Sequence, residues 1–342
     1  MQRYPSSQKA VVLARRPSGN PIADDFAVVE MPVEHPAAGQ ILVRNKYFSI
    51  DAGFRHWMNQ GSSDEYLPEM PLGEPVVSLV LGEVLVSNNV DFAVGDHIMA
   101  RLSWQQYCLA GVDDFITVLP TDIARPINEY LGVLGGTGMT AYFGVTDICR
   151  PQPGDVALIS AAAGAVGTVA GQLMKAAGAN VIGICGDADK CRRLQDEYGF
   201  DAAINYKSVE SLEAAIAALA PQGIDIYFDN VGAETLNAAL SHLRVNARVA
   251  LCGSIAVYGA DCPPRGPANM FELVVKRVLL KGFMYTDEVA RYAEATAVLE
   301  AALNCGKIKN AEYEIVGVEN AGNAFCDMFA GKNFGKAIVR LP

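Results

Sequence analysis

The sequence predicts an α/β protein in two parts, an antiparallel barrel-like front and a parallel sheet behind it, and three observations carry that prediction. From Ala10 to about Val118 short apolar stretches alternate with turn residues, as in Ile41–Ile50 and 76–86. From about Pro151 the rhythm changes to strand and helix in turn, the mark of a parallel sheet covered on both faces. Where the first of those strands meets its helix stands a run of small residues, Ala161-Ala162-Ala163-Gly164-Ala165-Val166-Gly167.

The elements follow in order. In the front part, Gly95-Asp96-His97-Ile98-Met99 reads as a turn feeding a strand. In the rear part strands are expected over 156–159, 181–184, 202–204, 224–228 and 248–251, with helices over 164–177, 187–198, 209–219 and 235–243 between them. The stretch 333–341 returns to strand character, so the tail is expected to rejoin the first part. No internal repeat and no low-complexity linker interrupts this plan.

Composition agrees and excludes several classes. The 342 residues suffice for about two domains. Hydrophobic residues make up 51% and charged residues 19%, which places the chain among folded proteins. Lys and Arg number 27 against 38 Asp and Glu, so the net charge of −11 repels nucleic acid and anionic membrane surfaces. The eight cysteines (108, 149, 185, 191, 252, 262, 305 and 326) form no CxxC pair, and residues 1–16 lack the apolar core of a signal peptide. Free thiols in a reducing cytoplasm are the expectation. The uncharged run 156–174 is long enough on paper to cross a bilayer, but three Gly, a Ser and a Thr divide it into a strand and a helix.

The turn between those halves carries the chemistry. Ala162-x-Gly164-x-x-Gly167 matches a dinucleotide fingerprint with Ala in place of the first Gly, between a strand and a helix as that motif requires. Gly164 lets backbone approach a pyrophosphate, Gly167 lets helix and strand pack closely, and the helix start offers N–H groups. No Gly-Lys-Ser/Thr follows, which excludes a Walker-type ATP site. At the end of the second strand, where an NAD enzyme places an acid on the ribose, the chain has Ile184-Cys185-Gly186. Lys190, Arg192 and Arg193 follow, a basic cluster that suits a 2′-phosphate or, alternatively, a solvated face paired with Asp187 and Asp189.

Other hydride chemistries lack their residues. His35, His56, His97 and His242 show no ligand spacing, Gly73-Glu74 lacks a following His, and no metal site is expected. None of the thirteen Tyr begins a Tyr-x-x-x-Lys pair.

Four motifs in order, Ala161 through Gly167, Tyr227-Phe228-Asp229-Asn230-Val231-Gly232, Cys252-Gly253-Ser254-Ile255-Ala256-Val257-Tyr258 and Asn333-Phe334-Gly335-Lys336, make the chain resemble the zinc-independent medium-chain dehydrogenase/reductases. The branch it resembles holds the leukotriene dehydrogenase/prostaglandin reductases, bacterial curcumin reductases and plant alkenal double-bond reductases. The resemblance implies a GroES-like β-barrel-type domain over 1–128 and 319–342 and a Rossmann domain, a doubly wound parallel sheet, over 129–318. It also implies a homodimer and NADPH-dependent reduction of the carbon–carbon double bond of an apolar α,β-unsaturated ketone or aldehyde.

Residue by residue, the resemblance implies that Gly164, Ala165, Val166 and Gly167 hold the pyrophosphate of NADP(H), and that Lys190 and Tyr206 meet the 2′-phosphate. Asn230, Cys252, Gly253, Ser254, Ile255, Tyr258, Phe283, Met284, Tyr285 and Asn333 would line the adenosine and nicotinamide. Tyr258 matches the active-site tyrosine, with Tyr66 as a second aromatic beside the substrate. Hydride goes to the β-carbon, and the resulting enolate oxygen needs a hydrogen bond, which Tyr258 or a ribose hydroxyl supplies before the α-carbon is protonated. Two departures stand out. Asp51-Ala52-Gly53-Phe54-Arg55 replaces Asp-Pro-Tyr-Met-Arg, and Gly186-Asp187 replaces Gly-Ser, placing an acid near the expected phosphate. The alternatives are a zinc-independent quinone oxidoreductase and a catalytically silent NADP-binding sensor.

Overall fold

The computed structural model describes residues 4–120, 124–259 and 266–342, which divide into two compact units. The first comprises 1–131, 313–333 and 337–342, and the second 132–312 with 334–336. Cys262 lies outside the described residues.

The chain opens with β1 (Ser7–Leu13) antiparallel to β2 (Phe26–Pro32). It continues through β3 (Ile41–Ile50), the single turn of α1 (Phe54–Trp57), β4 (Val77–Ser87), β5 (His97–Ser103), β6 (Tyr107–Ala110) and β7 (Thr117–Val118). Period-two burial sets the faces: in β5, Ile98, Ala100 and Leu102 point inward while their neighbours are half exposed. Gly82 permits the close crossing of β4 over β3, since a Cβ there would lie 2.3 Å from Val43.

The second unit begins with α2 (Gly136–Phe143) and then alternates β8 (Val156–Ile159), α3 (Ala165–Ala176), β9 (Asn180–Cys185), α4 (Ala188–Tyr198), β10 (Ala202–Asn205), α5 (Leu212–Leu219), β11 (Ile224–Asp229), α6 (Ala233–Ser241) and β12 (Leu243–Leu251). It adds α7 (Phe271–Val275), β13 (Leu279–Gly282) and α8 (Tyr292–Asn304). The six strands stand in the order β10-β9-β8-β11-β12-β13, all parallel, so the order reverses between β8 and β11. Strands covered on both faces are largely apolar in their central residues, and Leu158, Ile182, Ile204, Tyr227 and Val249 form the core of this sheet.

The chain then returns to the first unit as β14 (Glu312–Val316), α9 (Ala321–Phe329) and β15 (Lys336–Arg340). Ala337 pairs with Ile50 and Arg340 with Tyr47, so the tail joins β3 as expected. There Phe325 of α9 meets Phe26 at 5.9 Å and Trp104 at 5.8 Å, and Gly322 clears the approach, because a Cβ would lie 2.9 Å from Phe26. The first unit is the GroES-like barrel domain and the second the Rossmann domain.

Several boundaries differ from the sequence reading. The helix expected from 209 starts at Leu212, because the Ser211 hydroxyl caps it by accepting from the Ala214 N–H. The helix expected to reach 243 ends at Ser241, and Leu243 already belongs to β12. The sixth strand, β13, was not anticipated. No helix among the described residues is long and apolar enough to cross a membrane.

Candidate functional site

The phosphate-binding turn lies at the carboxyl end of β8. Ala161 takes φ +46, a left-handed conformation that a residue with a Cβ rarely adopts, and turns the chain sharply into α3. Ala162 is fully buried under that turn, and Gly183 of β9 makes room for its methyl: a Cβ at 183 would sit 2.8 Å from that of Ala162. The alanine in place of the usual first glycine is therefore accommodated by a glycine on the next strand. Gly167 is obligatory, since a Cβ would lie 2.5 Å from the Ala161 carbonyl. No side chain caps α3 at Gly164, so no carboxylate or hydroxyl occupies the start of the helix, and a parallel bridge ties Gly164 to Gly335. Gly335 donates its N–H to the Ala163 carbonyl at 2.8 Å and braces the turn from the far end of the sequence.

A basic seat forms at the ends of β9 and β10. Tyr206 lies directly on Gly186, where a Cβ would be 2.9 Å from its ring, and Lys207 flanks it with the ammonium 5.9 Å from the Tyr206 ring centre. Lys190 completes the group from the first turn of α4. Burial pulls its pKa below the usual lysine range, against the raising influence of Cys185 and Asp187, and Lys207 lowers it further. Lys190 and Lys207 together make this end of the strands positive. Among the described residues, no carboxylate lies within 4 Å of the Lys190 ammonium.

The neighbouring arginines do not share this seat, which corrects the sequence reading of one basic cluster. Arg192 pairs with Asp189 at 2.7 Å, and Arg193 pairs with Glu197 at 3.1 Å and lies 3.9 Å over the ring of Phe334. Phe334 is held from another side by Tyr198 at 5.1 Å. Nor does Asp187 stand as a free acid in the seat. Its carboxylate accepts from the N–H groups of Asp189 and Lys190, capping α4, where the positive end of the helix stabilises it.

Across the strand-order reversal, the ends of β11 and β12 are bound into one platform. Cys252 and Gly253 donate their N–H groups to the Asp229 carbonyl, Ile255 to that of Asn230, and Ala256 to that of Val231. Asp229 is buried, and its Oδ1 accepts from Tyr227 Oη, Ser160 Oγ and the N–H groups of Val231 and Gly232, all within 3.0 Å. Four donors replace the water that this carboxylate has lost. Asn230 donates through Nδ2 to the Ser160 carbonyl at 2.7 Å. The ring of Tyr258 folds back over Gly253, and its hydroxyl oxygen accepts from the Ser254 N–H at 3.0 Å. Burial raises the Tyr258 pKa, so the phenol keeps its proton at neutral pH. The Asp229–Ser160–Tyr227 network was not anticipated; the Asp-Asn-Val-Gly run at a strand end was its signal in the sequence.

The remaining expected residues fall in different places. Phe283 packs edge-on against Phe228 at 6.3 Å, and Met284 is exposed. Tyr285 lies on Gly136, with a Cβ there only 2.8 Å from its ring, and stacks on Tyr292. Tyr66 and Asn333 belong to the first unit. Tyr66 stacks on Trp57 at 5.3 Å, and the nearest atom to a Cβ at Gly53 is Trp57 Cζ3 at 4.0 Å. Gly53 has ordinary helical angles, φ −57 and ψ −33, so nothing in its backbone requires glycine. Among the described residues no group of three or more His, Cys, Asp or Glu is arranged to hold a metal ion.

A parallel sheet whose strand ends carry a phosphate turn without a side-chain cap, a basic seat and a polar platform has the parts of a dinucleotide-binding protein. Comparison with known proteins narrows the class. Residues 9–118 match the family model described as N-terminal domain of oxidoreductase, and 165–301 match that described as Zinc-binding dehydrogenase. The chain is 37% identical over 338 residues to the putative NADP-dependent oxidoreductase YfmJ of Bacillus subtilis, covering 98% of each. It is 35% identical over 335 residues to the NADPH-dependent curcumin reductase of Escherichia coli, covering 96% of each. The structure of CurA from Vibrio vulnificus in complex with NADPH superposes with a TM-score of 0.90 at 36% identity, over 98% of this chain and 99% of that one. The chain belongs to the zinc-independent medium-chain dehydrogenase/reductases, in the branch of the curcumin, 2-alkenal and prostaglandin reductases.

Proposed function

We propose that this protein is an NADPH-dependent reductase of the carbon–carbon double bond of apolar enones and enals. The observation that carries the cofactor reading is the pairing of an uncapped α3 behind Gly164 and Gly167 with the Lys190, Tyr206 and Lys207 seat around Gly186. The first fits a pyrophosphate and the second a 2′-phosphate. NADPH, when bound, supplies a hydride for the β-carbon of the substrate. The chain's own residues do the rest. The backbone of Gly164–Gly167 holds the pyrophosphate, while Asn230, the 252–255 turn and the 283–285 segment line the adenosine and nicotinamide. Tyr258 donates its phenol proton in a hydrogen bond to the developing enolate oxygen, which is where negative charge accumulates in this reaction. Its raised pKa suits a donor and argues against a general base at neutral pH. Tyr66, stacked on Trp57, and the open position at Gly53 favour an extended or ring-bearing substrate.

The test is a screen of NADPH oxidation against enones, enals and quinones, with products weighed by mass spectrometry. Saturated products two hydrogens heavier, formed one per NADPH consumed, support the reading. Turnover of quinones alone would move the protein to the quinone oxidoreductases, and binding without turnover to a sensor.

We further propose a homodimer joined along β13. That strand is the open edge of the sheet, and the adjoining α7 exposes Phe271 at 73% and Val274 at 67%, an apolar surface that a second copy would cover. A cytoplasmic setting accords with the described cysteines, all of which are free thiols.

A further inference from the structure

Cys185 ends β9 and Cys191 lies in the first turn of α4, and their sulfur atoms are 2.9 Å apart. No other two cysteine sulfurs among the described residues are in contact. Neither family membership nor the proposed reduction uses this pair. Both side chains are buried, yet Cys191 also lines a cavity of about 680 Å³ between α4, β10 and α5, with Ala188, Gln195 and Asn205. None of the residues 161–167 of the phosphate turn lines that cavity, which gives a small solute a way to Cys191.

We propose that Cys185 and Cys191 are a site of reversible oxidation, closing as a disulfide that loosens the hold of the intervening turn on a 2′-phosphate. The loop they would close contains Gly186, the capping Asp187 and Lys190. This turn has little slack. The Cys191 N–H donates to the Asp187 carbonyl at 3.1 Å, the Asp187 carboxylate holds the N–H groups of 189 and 190, and Gly186 has no room for even a methyl beside Tyr206. Drawing the Cys191 sulfur onto Cys185 moves the first turn of α4 and Lys190 with it. The second half of the proposal rests on the NADPH reading above; the first does not.

With a peroxide as oxidant the step balances. One sulfur, as thiolate, attacks a peroxide oxygen; the O–O bond breaks, leaving a sulfenic acid and hydroxide, which takes up the thiol proton as water. The second sulfur attacks the sulfenic sulfur, the S–S bond forms, the S–O bond breaks and a second water leaves. Two electrons pass from the sulfurs to the peroxide. Burial and the contact with Cys185 push the Cys191 thiol up to about 12, so Cys191 rests protonated and the site responds to sustained oxidant rather than to traces.

Trypsin provides a direct readout, because it cuts after Lys175, Lys190 and Arg192 and so separates the two cysteines. The full chain is treated with hydrogen peroxide, desalted, alkylated and digested. The expected product is the peptide 176–190 joined to the dipeptide Cys191-Arg192, two hydrogens lighter than their sum and lost on treatment with dithiothreitol. In parallel, fluorescence titration of the oxidised protein is expected to show at least a threefold rise in Kd for NADPH, with NADH unchanged. In Cys191→Ala, or Cys185→Ala should the first be insoluble, peroxide changes neither. Absence of the joined peptide overturns the site, and its presence with an unaltered Kd for NADPH overturns the coupling to the phosphate. A reduced wild-type protein that binds NADPH no better than NADH refutes the cofactor reading instead and leaves the peptide result standing.

Discussion

Replacing Lys190 with alanine removes one of the two ammonium groups of the phosphate seat. A charge-assisted hydrogen bond contributes about 1.5–3 kcal/mol, which is roughly a 10- to 150-fold change in affinity. Lys190 is half buried, and Lys207 remains in the variant, so the lower part of that range applies, about 10- to 30-fold weaker binding of NADPH. Binding of NADH, which lacks the phosphate, should change less than twofold. Titration of both cofactors by fluorescence at fixed ionic strength measures the two constants directly, and Lys190→Met separates the charge from the packing of the stem. Because burial lowers the Lys190 pKa, the wild-type preference for NADPH should also fade at a lower alkaline pH than an exposed lysine would give, a fall that the variant lacks. An equal loss for both cofactors would refute the argument, since it would mean that Lys190 supports the fold of α4 rather than the phosphate.

Tyr258→Phe should lower turnover about 10- to 1000-fold with cofactor affinity nearly intact, checked by steady-state kinetics alongside cofactor titration. Gly53→Ala, at a helical position with open space, should stabilise the protein by about 0.4–1 kcal/mol and raise the melting temperature by roughly 1–4 °C. Gly335→Ala should do the reverse and yield little soluble protein, because φ is +75 and a Cβ would lie 2.0 Å from the Ala311 carbonyl. Glu83 is held at a pKa of about 2, first by its hydrogen bond from Lys46 and then by that from Arg44. A depressed carboxylate stabilises the fold above its unfolded pKa of about 4.5, and that stabilisation is lost as pH falls from there toward 2. Glu83→Gln should therefore flatten acid unfolding by about 1 kcal/mol across that window, read by circular dichroism.

What could be read from the sequence was what depends on neighbours along the chain. The limits of β8 follow from local period and agree with the structure, and the helix expected over 187–198 differs from α4 only at Asp187, which caps it instead of opening it. The fate of Arg193 could not be read this way, because its partner Phe334 arrives from the far end of the chain. Asp187 looked like an obstacle to phosphate in the sequence because a string of letters does not show which way a carboxylate turns. β12 begins five residues before the strand expected from 248, where Leu243 pairs with Ile224; apolar residues do alternate at 243, 245, 247, 249 and 251, but the ladder is interrupted by a register shift beside Asn246 at φ +64. Cys185 and Cys191, six positions apart, looked unrelated until strand and helix folded back on one another.

The exchange of small residues between Ala162 and Gly183 has a consequence for mutational history. The dependence runs one way: Ala162 needs a glycine at 183, whereas a glycine at 162 costs only a cavity. Gly183→Ala on this background forces two methyl carbons to 2.8 Å and also crowds Leu194 and Phe200, whereas Ala162→Gly alone leaves an unfilled hole beneath the phosphate turn. The two positions therefore show epistasis, and the order of substitution matters. A route from this sequence to the usual glycine-first fingerprint is passable through the hole and blocked through the clash, so position 162 must change before position 183.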